Sequence, residues 1–237
     1  MKYLSGLLLL LILVIAGFNK SMVLPNVYKK FSSNLISITE MGTNVVIVSN
    51  GVPNHKSTYF ATNDARYEAY NGNDPIYAKN PNSIVTQNLT FTIPTNPSVA
   101  TVHRATALGP IGVALNGVPF YNQYAGPNLP LTTEINSFDQ YAGHPQRTGQ
   151  YHYHIEPLYL TAKYGKDALL GFLLDGFPVY GPMENGKKIV NNDLDTYHGH
   201  LHSTKEYPNG IYHYHITDAD PYMNGNGYYG TPGTVTQ

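Results

Sequence analysis

The tetrapeptide Tyr-His-Tyr-His occurs twice in the sequence, at residues 151–154 and 212–215. Side chains of an extended strand alternate between two faces, so the two tyrosines of each copy share one face and the two histidines share the other. The two histidines then stand about 7 Å apart along the strand, and imidazole nitrogens are common ligands of zinc and copper. Each copy is therefore a candidate part of a metal site, or the polar lining of a pocket.

A third histidine precedes each tetrapeptide within a second repeated motif, Asp-x-Tyr-x-Gly-His, at residues 139–144 and 195–200. Three protein ligands and an open position for water are typical of catalytic zinc sites. The sequence thus predicts that some subset of six histidines binds Zn²⁺ or Cu²⁺. It leaves open whether they form one site or two, and whether the site is catalytic. The six candidates are His144, His152, His154, His200, His213 and His215.

Three further histidines lie near these motifs. His198 and His202 flank His200, whereas the first half has Ala142 and Gln146 at the matching places. The second half is therefore favoured as the metal-binding half. His55 is an additional candidate to close over the site.

Acidic residues also accompany the histidines. Asp139 and Asp195 begin the two Gly-His motifs, where a carboxylate either holds a turn through backbone hydrogen bonds or orients a ligand histidine. The turn role is favoured for at least one of them. Glu156 and Asp218 follow the two tetrapeptides, and each is a candidate general base only if the strand ends face a cleft.

Short strands and tight turns must position these residues. Three apolar runs, 45–49, 111–115 and 170–174, are each followed by Asn-Gly or Asp-Gly, which is the signature of a type I′ turn. Residues 87–93 alternate between apolar and polar side chains and predict a half-buried strand, and residues 157–169 predict a short helix.

The hairpin, the Gly-His loop and the Tyr-His-Tyr-His strand recur in the same order, over about residues 112–157 and 171–217. Two units are too few for a solenoid, so they predict a pseudo-twofold pair around one core or cleft.

Charged residues make up only 12%, and Gly and Pro are abundant. This composition suits a mainly β fold: a single sandwich- or barrel-like domain, residues 23–237, with one short helix.

The order of these motifs resembles the YHYH domain family, which is named for the tetrapeptide. The resemblance extends from about Asn50 to Ile216. It implies an exported protein, and it implies no particular activity.

The N-terminus indicates the cellular setting. Lys2 and the apolar run from Leu7 to Ala16 predict a secretory signal peptide, residues 1–22, because the run is shorter than the roughly 20 residues of a membrane span. The expected location is the periplasm or the extracellular space, with no membrane attachment after cleavage.

The chain has no cysteine, which excludes a disulfide framework. Its net charge of −1, without Lys or Arg blocks, argues against nucleic-acid binding.

A second function remains open beside metal binding. Histidines in a polar β core can exchange hydrogen bonds with tyrosine hydroxyls and carboxylates without any metal. The protein would then be a non-catalytic surface module whose tyrosines and histidines line a groove for a glycan, another small molecule or a protein. Covalent catalysis has little support, because the sequence contains no nucleophile elbow, P-loop or cysteine.

Overall fold

The computed structural model describes residues 24–32 and 35–237. The predicted signal peptide, residues 1–22, lies outside these residues. Within them the chain forms sixteen short β-strands, one α-helix, α1 (Leu158–Tyr164), and three 3₁₀ helices. The predicted mainly β fold with one short helix is confirmed, although the helix ends before the predicted residue 169, at Gly165 with its φ of 108°. No helix in this part of the chain has both the length and the apolar character of a membrane span.

One sheet has four antiparallel strands in the order β1, β2, β3, β16. The predicted strand at residues 87–93 is confirmed as β3, in which Leu89, Phe91 and Ile93 are fully buried and the residues between them are half-buried. This sheet therefore turns one apolar face to the core. Its strands are β1 (Ser37–Met41), β2 (Asn44–Ser49), β3 (Leu89–Pro94) and β16 (Thr234–Thr236).

The second sheet has eight strands and carries both tetrapeptides. In spatial order they are β14 (Gly199–His202), β15 (Ile211–His215), β11 (Pro178–Tyr180), β10 (Leu169–Leu173), β4 (Gly112–Ala114), β5 (Pro119–Phe120), β9 (Tyr151–Tyr153) and β8 (Gly143–Pro145). The hairpin strands β4 and β10 pair antiparallel at the centre. Outward from this pair, each half continues with its second hairpin strand, its Tyr-His-Tyr-His strand and its Gly-His strand. The predicted repeat has this order, and the pseudo-twofold symmetry itself stays a prediction.

The two central hairpins close with a different turn from the predicted type I′. Only the glycine has a positive φ in each, 82° at Gly117 and 86° at Gly176, whereas type I′ requires two such residues. The Gly176 N–H donates to the Leu173 carbonyl, and the Leu173 N–H donates to the Phe177 carbonyl. This pattern is a three-residue connection with glycine in the left-handed position. The Asp175 carboxylate accepts the Phe177 N–H, so the side chain holds the turn.

The predicted turn at Asn50 and Gly51 does not close a hairpin. Gly51 has a φ of 66°, but β2 pairs with β1 and with β3, and residues 50–88 come between β2 and β3. This long connection brings Asn80 beside the Gly-His strand β8. Two small ribbons complete the strands: β6 (Tyr124–Ala125) with β7 (Leu129–Pro130), and β12 (Met183–Glu184) with β13 (Lys187–Lys188).

The two large sheets share one hydrophobic core. Val45 and Phe91 from the four-stranded sheet belong to the same buried cluster as Phe120 and Phe172 from the eight-stranded sheet. Each such side chain contributes roughly 1.5–3 kcal/mol on burial. A Cβ at Gly171 would lie 2.3 Å from the Val113 carbonyl oxygen, so glycine permits the close approach of β10 to β4 that joins the two halves. The domain limits of 23–237 stay a prediction.

Candidate metal centres

Strand register brings the six predicted histidines into two clusters of three. In the first half, β8 pairs antiparallel with β9, and His144 lies directly opposite His152. Residues opposite each other share a face of the sheet, and His154, two residues beyond His152, lies on the same face. In the second half His200 lies opposite His213, and His215 follows. Each half therefore gathers its own three histidines, so the six form two clusters rather than one.

A glutamate that sequence analysis missed completes each cluster. Glu134 begins the 3₁₀ helix Glu134–Ser137, and its Oε1 lies 3.0 Å from His144 Nε2. Glu184 ends β12, and its carboxylate oxygens lie 3.2–3.7 Å from the Nε2 atoms of all three histidines of the second half. The four donor atoms of each cluster lie within 4.8 Å of one another. The first cluster is Glu134, His144, His152 and His154; the second cluster is Glu184, His200, His213 and His215.

Hydrogen bonds fix which nitrogen carries the proton in the two tetrapeptide imidazoles of the first cluster. His152 Nδ1 lies 3.0 Å from the Gln150 carbonyl oxygen, and His154 Nδ1 lies 2.5 Å from that of Asn122. A carbonyl only accepts, so both Nδ1 atoms are protonated. His144 Nδ1 lies 2.7 Å from Ser137 Oγ, which can accept its proton, and 3.2 Å from Asn80 Nδ2, which can only donate to it, so either tautomer of His144 has a partner. His152 and His154, when neutral, therefore carry a lone pair on Nε2.

These Nε2 lone pairs point at one another. His152 Nε2 lies 3.1 Å from His144 Nε2 and 3.0 Å from His154 Nε2. With Nδ1 protonated on His152 and His154, the contact between these two rings has no proton to share unless one imidazole gains a second proton. A cation among the three nitrogens satisfies all of them at once.

The second cluster repeats this arrangement. His213 Nδ1 lies 3.0 Å from the Ile211 carbonyl oxygen, and His215 Nδ1 lies 2.7 Å from that of Gly181. His213 Nε2 lies 3.2 Å from His200 Nε2 and 3.1 Å from His215 Nε2. Backbone carbonyls therefore orient the tetrapeptide histidines in both halves, in the manner that outer hydrogen bonds orient metal-ligating imidazoles.

Burial and mutual proximity favour the ligand form of these groups, neutral imidazole and ionised carboxylate. Burial and the neighbouring imidazoles lower the pKa of His152 well below its usual range. Burial lowers the pKa values of His154 and His215 to about 4. Burial alone raises the pKa of the Glu134 and Glu184 carboxyls, but the surrounding histidines outweigh it and lower both.

The tyrosines of the tetrapeptides occupy the opposite, core-facing side of the sheet, as predicted. Tyr151 is fully buried, and its hydroxyl donates to the Asp139 carboxylate at 2.9 Å. Asp139 also accepts the backbone N–H of Tyr141, so it holds the Gly-His turn and anchors the strand. Asp195 does the same in the second half, where it accepts from the Tyr212 hydroxyl at 2.8 Å. The favoured turn role of these aspartates is confirmed.

The additional histidine candidates fall into different places. His202 Nδ1 lies 3.2 Å from Glu184 Oε1, at the margin of the second cluster, and its side chain is 43% exposed. His198 is buried outside the cluster. Its Nδ1 donates to the His215 carbonyl, and its Nε2 faces Asn191 and Thr217.

Three further candidates do not reach the clusters. His55 was expected to close over the site, but it lies on the tyrosine side of the sheet and contacts the Tyr153 hydroxyl at 2.9 Å. The long connection after β2 carries it there. Glu156 pairs with Lys166 and Asp218 pairs with Lys188, so neither faces the histidines as a base.

The two glutamates left little signal in the sequence. Glu134 is the only acidic residue between Asn116 and Asp139, whereas Glu184 and Asp193 both lie between Asp175 and Asp195. The number of residues between the hairpin and the glutamate differs between the halves, so an alignment of the two repeats does not match Glu134 with Glu184.

Comparison with known proteins assigns the chain to a family. Residues 90–191 and 184–227 match the family model described as YHYH protein. The chain belongs to the YHYH family. The matched segments contain all eight donors of the two clusters, so the YHYH match covers the candidate metal centres as well as the tetrapeptides. No match was found among curated proteins or among solved structures.

Proposed function

We propose that this YHYH protein is exported and binds two first-row transition-metal ions, Zn²⁺ or Cu²⁺, one in each cluster. The observation that carries the proposal is the set of contacts between Nε2 atoms at 3.0–3.2 Å in each cluster, with the Nδ1 atom of each tetrapeptide histidine bonded to a backbone carbonyl. The two tetrapeptide Nε2 atoms of each cluster then carry lone pairs, which a cation between them satisfies. Repetition of the arrangement in both halves supports one ion per half.

The donor distances suit an ion of this size. Zinc–nitrogen and zinc–oxygen bonds are about 2.0–2.2 Å long, which places donors about 3.3–3.5 Å apart around a tetrahedral ion. The distances from His152 Nε2 to its two neighbours are 3.0 and 3.1 Å, and those from Glu134 Oε1 to His144 and His154 are 3.0 and 3.8 Å. Small adjustments of the side chains bring all four to bonding distance.

The donor set also selects the class of metal. Imidazole suits zinc and copper(II), whereas calcium and magnesium prefer sites built only of oxygen atoms. The chain contains no cysteine, so thiolate ligation of copper(I) or of an iron–sulfur cluster is absent.

The alternative of a glycan- or protein-binding groove lined by the tetrapeptides has less support. His152, His154, His213 and His215 are all at most 2% exposed, and Tyr151 is fully buried. Buried side chains leave no such groove for a macromolecule. Export rests on Lys2 and the apolar segment that follows it, and N-terminal analysis of the secreted protein would identify the cleavage site.

Metal analysis of the full-length protein, expressed with no affinity tag and purified without nickel resin, tests the metal proposal. We expect two ions per chain after reconstitution with Zn²⁺ or Cu²⁺. His152→Ala and His213→Ala should each reduce this to one, and the double variant to none. His103→Ala is the matched control, because His103 bonds to the Tyr228 carbonyl outside both clusters, and it should retain two.

A network of shared protons is the competing explanation of the same geometry. It predicts substoichiometric metal and a melting temperature that does not respond to added Zn²⁺ or Cu²⁺. That pair of results would overturn the metal proposal.

A further inference from the structure

The second cluster differs from the first in its access to a cavity. A cavity of about 510 Å³ is lined by Glu184 and His215 of the second cluster, together with Tyr180, Thr204 and Lys205. Two smaller cavities, of about 400 and 230 Å³, lie beside the first half, and no residue of the first cluster lines them. The same set of donors is thus placed against an open space in one half and against packed side chains in the other.

The first cluster is closed around its imidazoles. His144, His152 and His154 are at most 3% exposed. The Phe138 ring packs edge-on against His144 at 4.7 Å between centroids, and the Tyr121 ring stacks on His152 at 3.9 Å. Only the carboxylate of Glu134 reaches solvent, at 28% exposure. Water could reach a bound ion only past that carboxylate, so the cluster resembles a closed structural site.

The second cluster is open on two sides. His200 is 24% exposed, and the exposed His202 adds a further nitrogen donor next to the Glu184 carboxylate. The carboxylate also lies on the cavity wall, at the end of the two-residue strand β12. The Tyr180 ring packs edge-on against His213 at 5.0 Å between centroids and also lines the cavity. An ion bound here lies between the partly exposed His200 and the cavity wall formed by Glu184 and His215, beside a space large enough for a small molecule.

The charge balance of the cavity defines the class of ligand. Lys30 pairs with Glu206 at 2.7 Å, and the remaining wall charges, Lys205 and Asp167, have opposite signs. Glu184 is the one anionic donor among the four of its cluster, so a divalent ion there retains one net positive charge. A small monoanion is the ligand that neutralises it. Zinc and copper both accept a fifth ligand.

We propose that the ion of the second cluster binds a small monoanionic ligand from the 510 Å³ cavity, and that the ion of the first cluster does not. This inference rests on the proposed function, because it requires both ions. It divides the two clusters into a ligand-binding centre and a closed structural centre.

Azide binding to the copper-loaded protein tests the proposal. Two single-site variants separate the centres: His152→Ala retains only the second-cluster copper, and His213→Ala retains only the first-cluster copper. We expect azide to change the visible absorption and the paramagnetic resonance spectrum of His152→Ala and to leave those of His213→Ala unchanged. In wild-type protein the change should correspond to one copper of the two.

Filling the cavity then locates the ligand. Ala168 lines the cavity, whereas Ala162 lies exposed on α1 and does not line it, so Ala168→Phe and Ala162→Phe are a matched pair. Ala168→Phe should weaken azide binding at least tenfold while retaining two copper ions, and Ala162→Phe should bind azide as wild type does. If Ala168→Phe fails to fold, Ser203→Phe at the exposed rim replaces it.

The outcomes distinguish this proposal from the one on which it rests. A protein that binds neither Zn²⁺ nor Cu²⁺ stoichiometrically overturns the proposed function and this inference with it. Two copper ions without an azide response, an equal response at both centres, or unchanged azide affinity in the cavity-filled variant overturns this inference alone.

Discussion

Replacing the buried tyrosine of the first tetrapeptide should cost more stability than the same change in the second. The Tyr151 hydroxyl donates at 2.9 Å to Asp139, which is 4% exposed, so no water replaces the lost donor in Tyr151→Phe. Burial raises the pKa of Asp139 to about 6, and the hydrogen bonds that it accepts oppose this rise, so it is ionised at pH 7.5. Hydrogen bonds to buried charged groups contribute about 1.5–3 kcal/mol. We expect Tyr151→Phe to lose this amount.

Tyr212→Phe is the matched comparison. Tyr212 donates to Asp195 at 2.8 Å, but Asp195 is exposed, and water takes the place of the hydroxyl. The expected loss is below about 1 kcal/mol. Urea denaturation of the metal-free proteins at pH 7.5 measures both values, and metal analysis should show two ions in each variant. Equal losses, or a larger loss in Tyr212→Phe, would refute the idea that burial of the aspartate determines the loss of stability. Loss of metal from either variant would refute the idea that the tyrosine face is separate from the histidine face.

Three further predictions concern the clusters. Ser137→Ala removes the hydroxyl that contacts His144 Nδ1 at 2.7 Å and should weaken metal binding at the first cluster about 10–100-fold, as measured by chelator competition; unchanged affinity would contradict the orienting role of Ser137. Metal at 100 times its Kd should raise the free energy of unfolding by about 2.7 kcal/mol per site, and urea denaturation of the His152→Ala, His213→Ala double variant should show no such increase. A chelator should remove metal in two phases, with the fast phase absent in His213→Ala; a single phase, or a fast phase that is instead absent in His152→Ala, would contradict the difference in access.

Local sequence rules predicted that His152 and His154 share a face, because two-residue alternation sets the side-chain direction within a strand. His144 was expected on a loop, but the Gly-His segment forms strand β8, which places His144 opposite His152 on the same face. Glu134 was not predictable in this way. It arrives on a 3₁₀ helix at a chain distance that the second half does not repeat. Contacts made through loops depend on the path of the whole chain, which no short motif encodes.

His55 and the hairpin turns also show what local sequence motifs do not predict. His55 follows an Asn-Gly turn similar to those in the repeats, yet its turn opens a long connection that passes to the tyrosine face. The Asn-Gly and Asp-Gly pairs correctly marked the central hairpins but not the turn type, because the side chain of Asp175 bonds to the Phe177 N–H and leaves the positive φ to Gly176 alone. Asn-Gly and Asp-Gly pairs thus predict where a turn lies, and the hydrogen bond of the side chain then determines the turn type.

The pairing of His144 opposite His152 has a consequence for how the strands find each other. β8 and β9 are three residues each, and such short strands specify their alignment weakly by apolar contacts alone. A slip by one residue would turn His144 away from its partners and leave two imidazoles without a third. An ion held by all three would then stabilise only the native alignment, so metal binding would act as a check on the pairing of the Gly-His and Tyr-His-Tyr-His strands during folding.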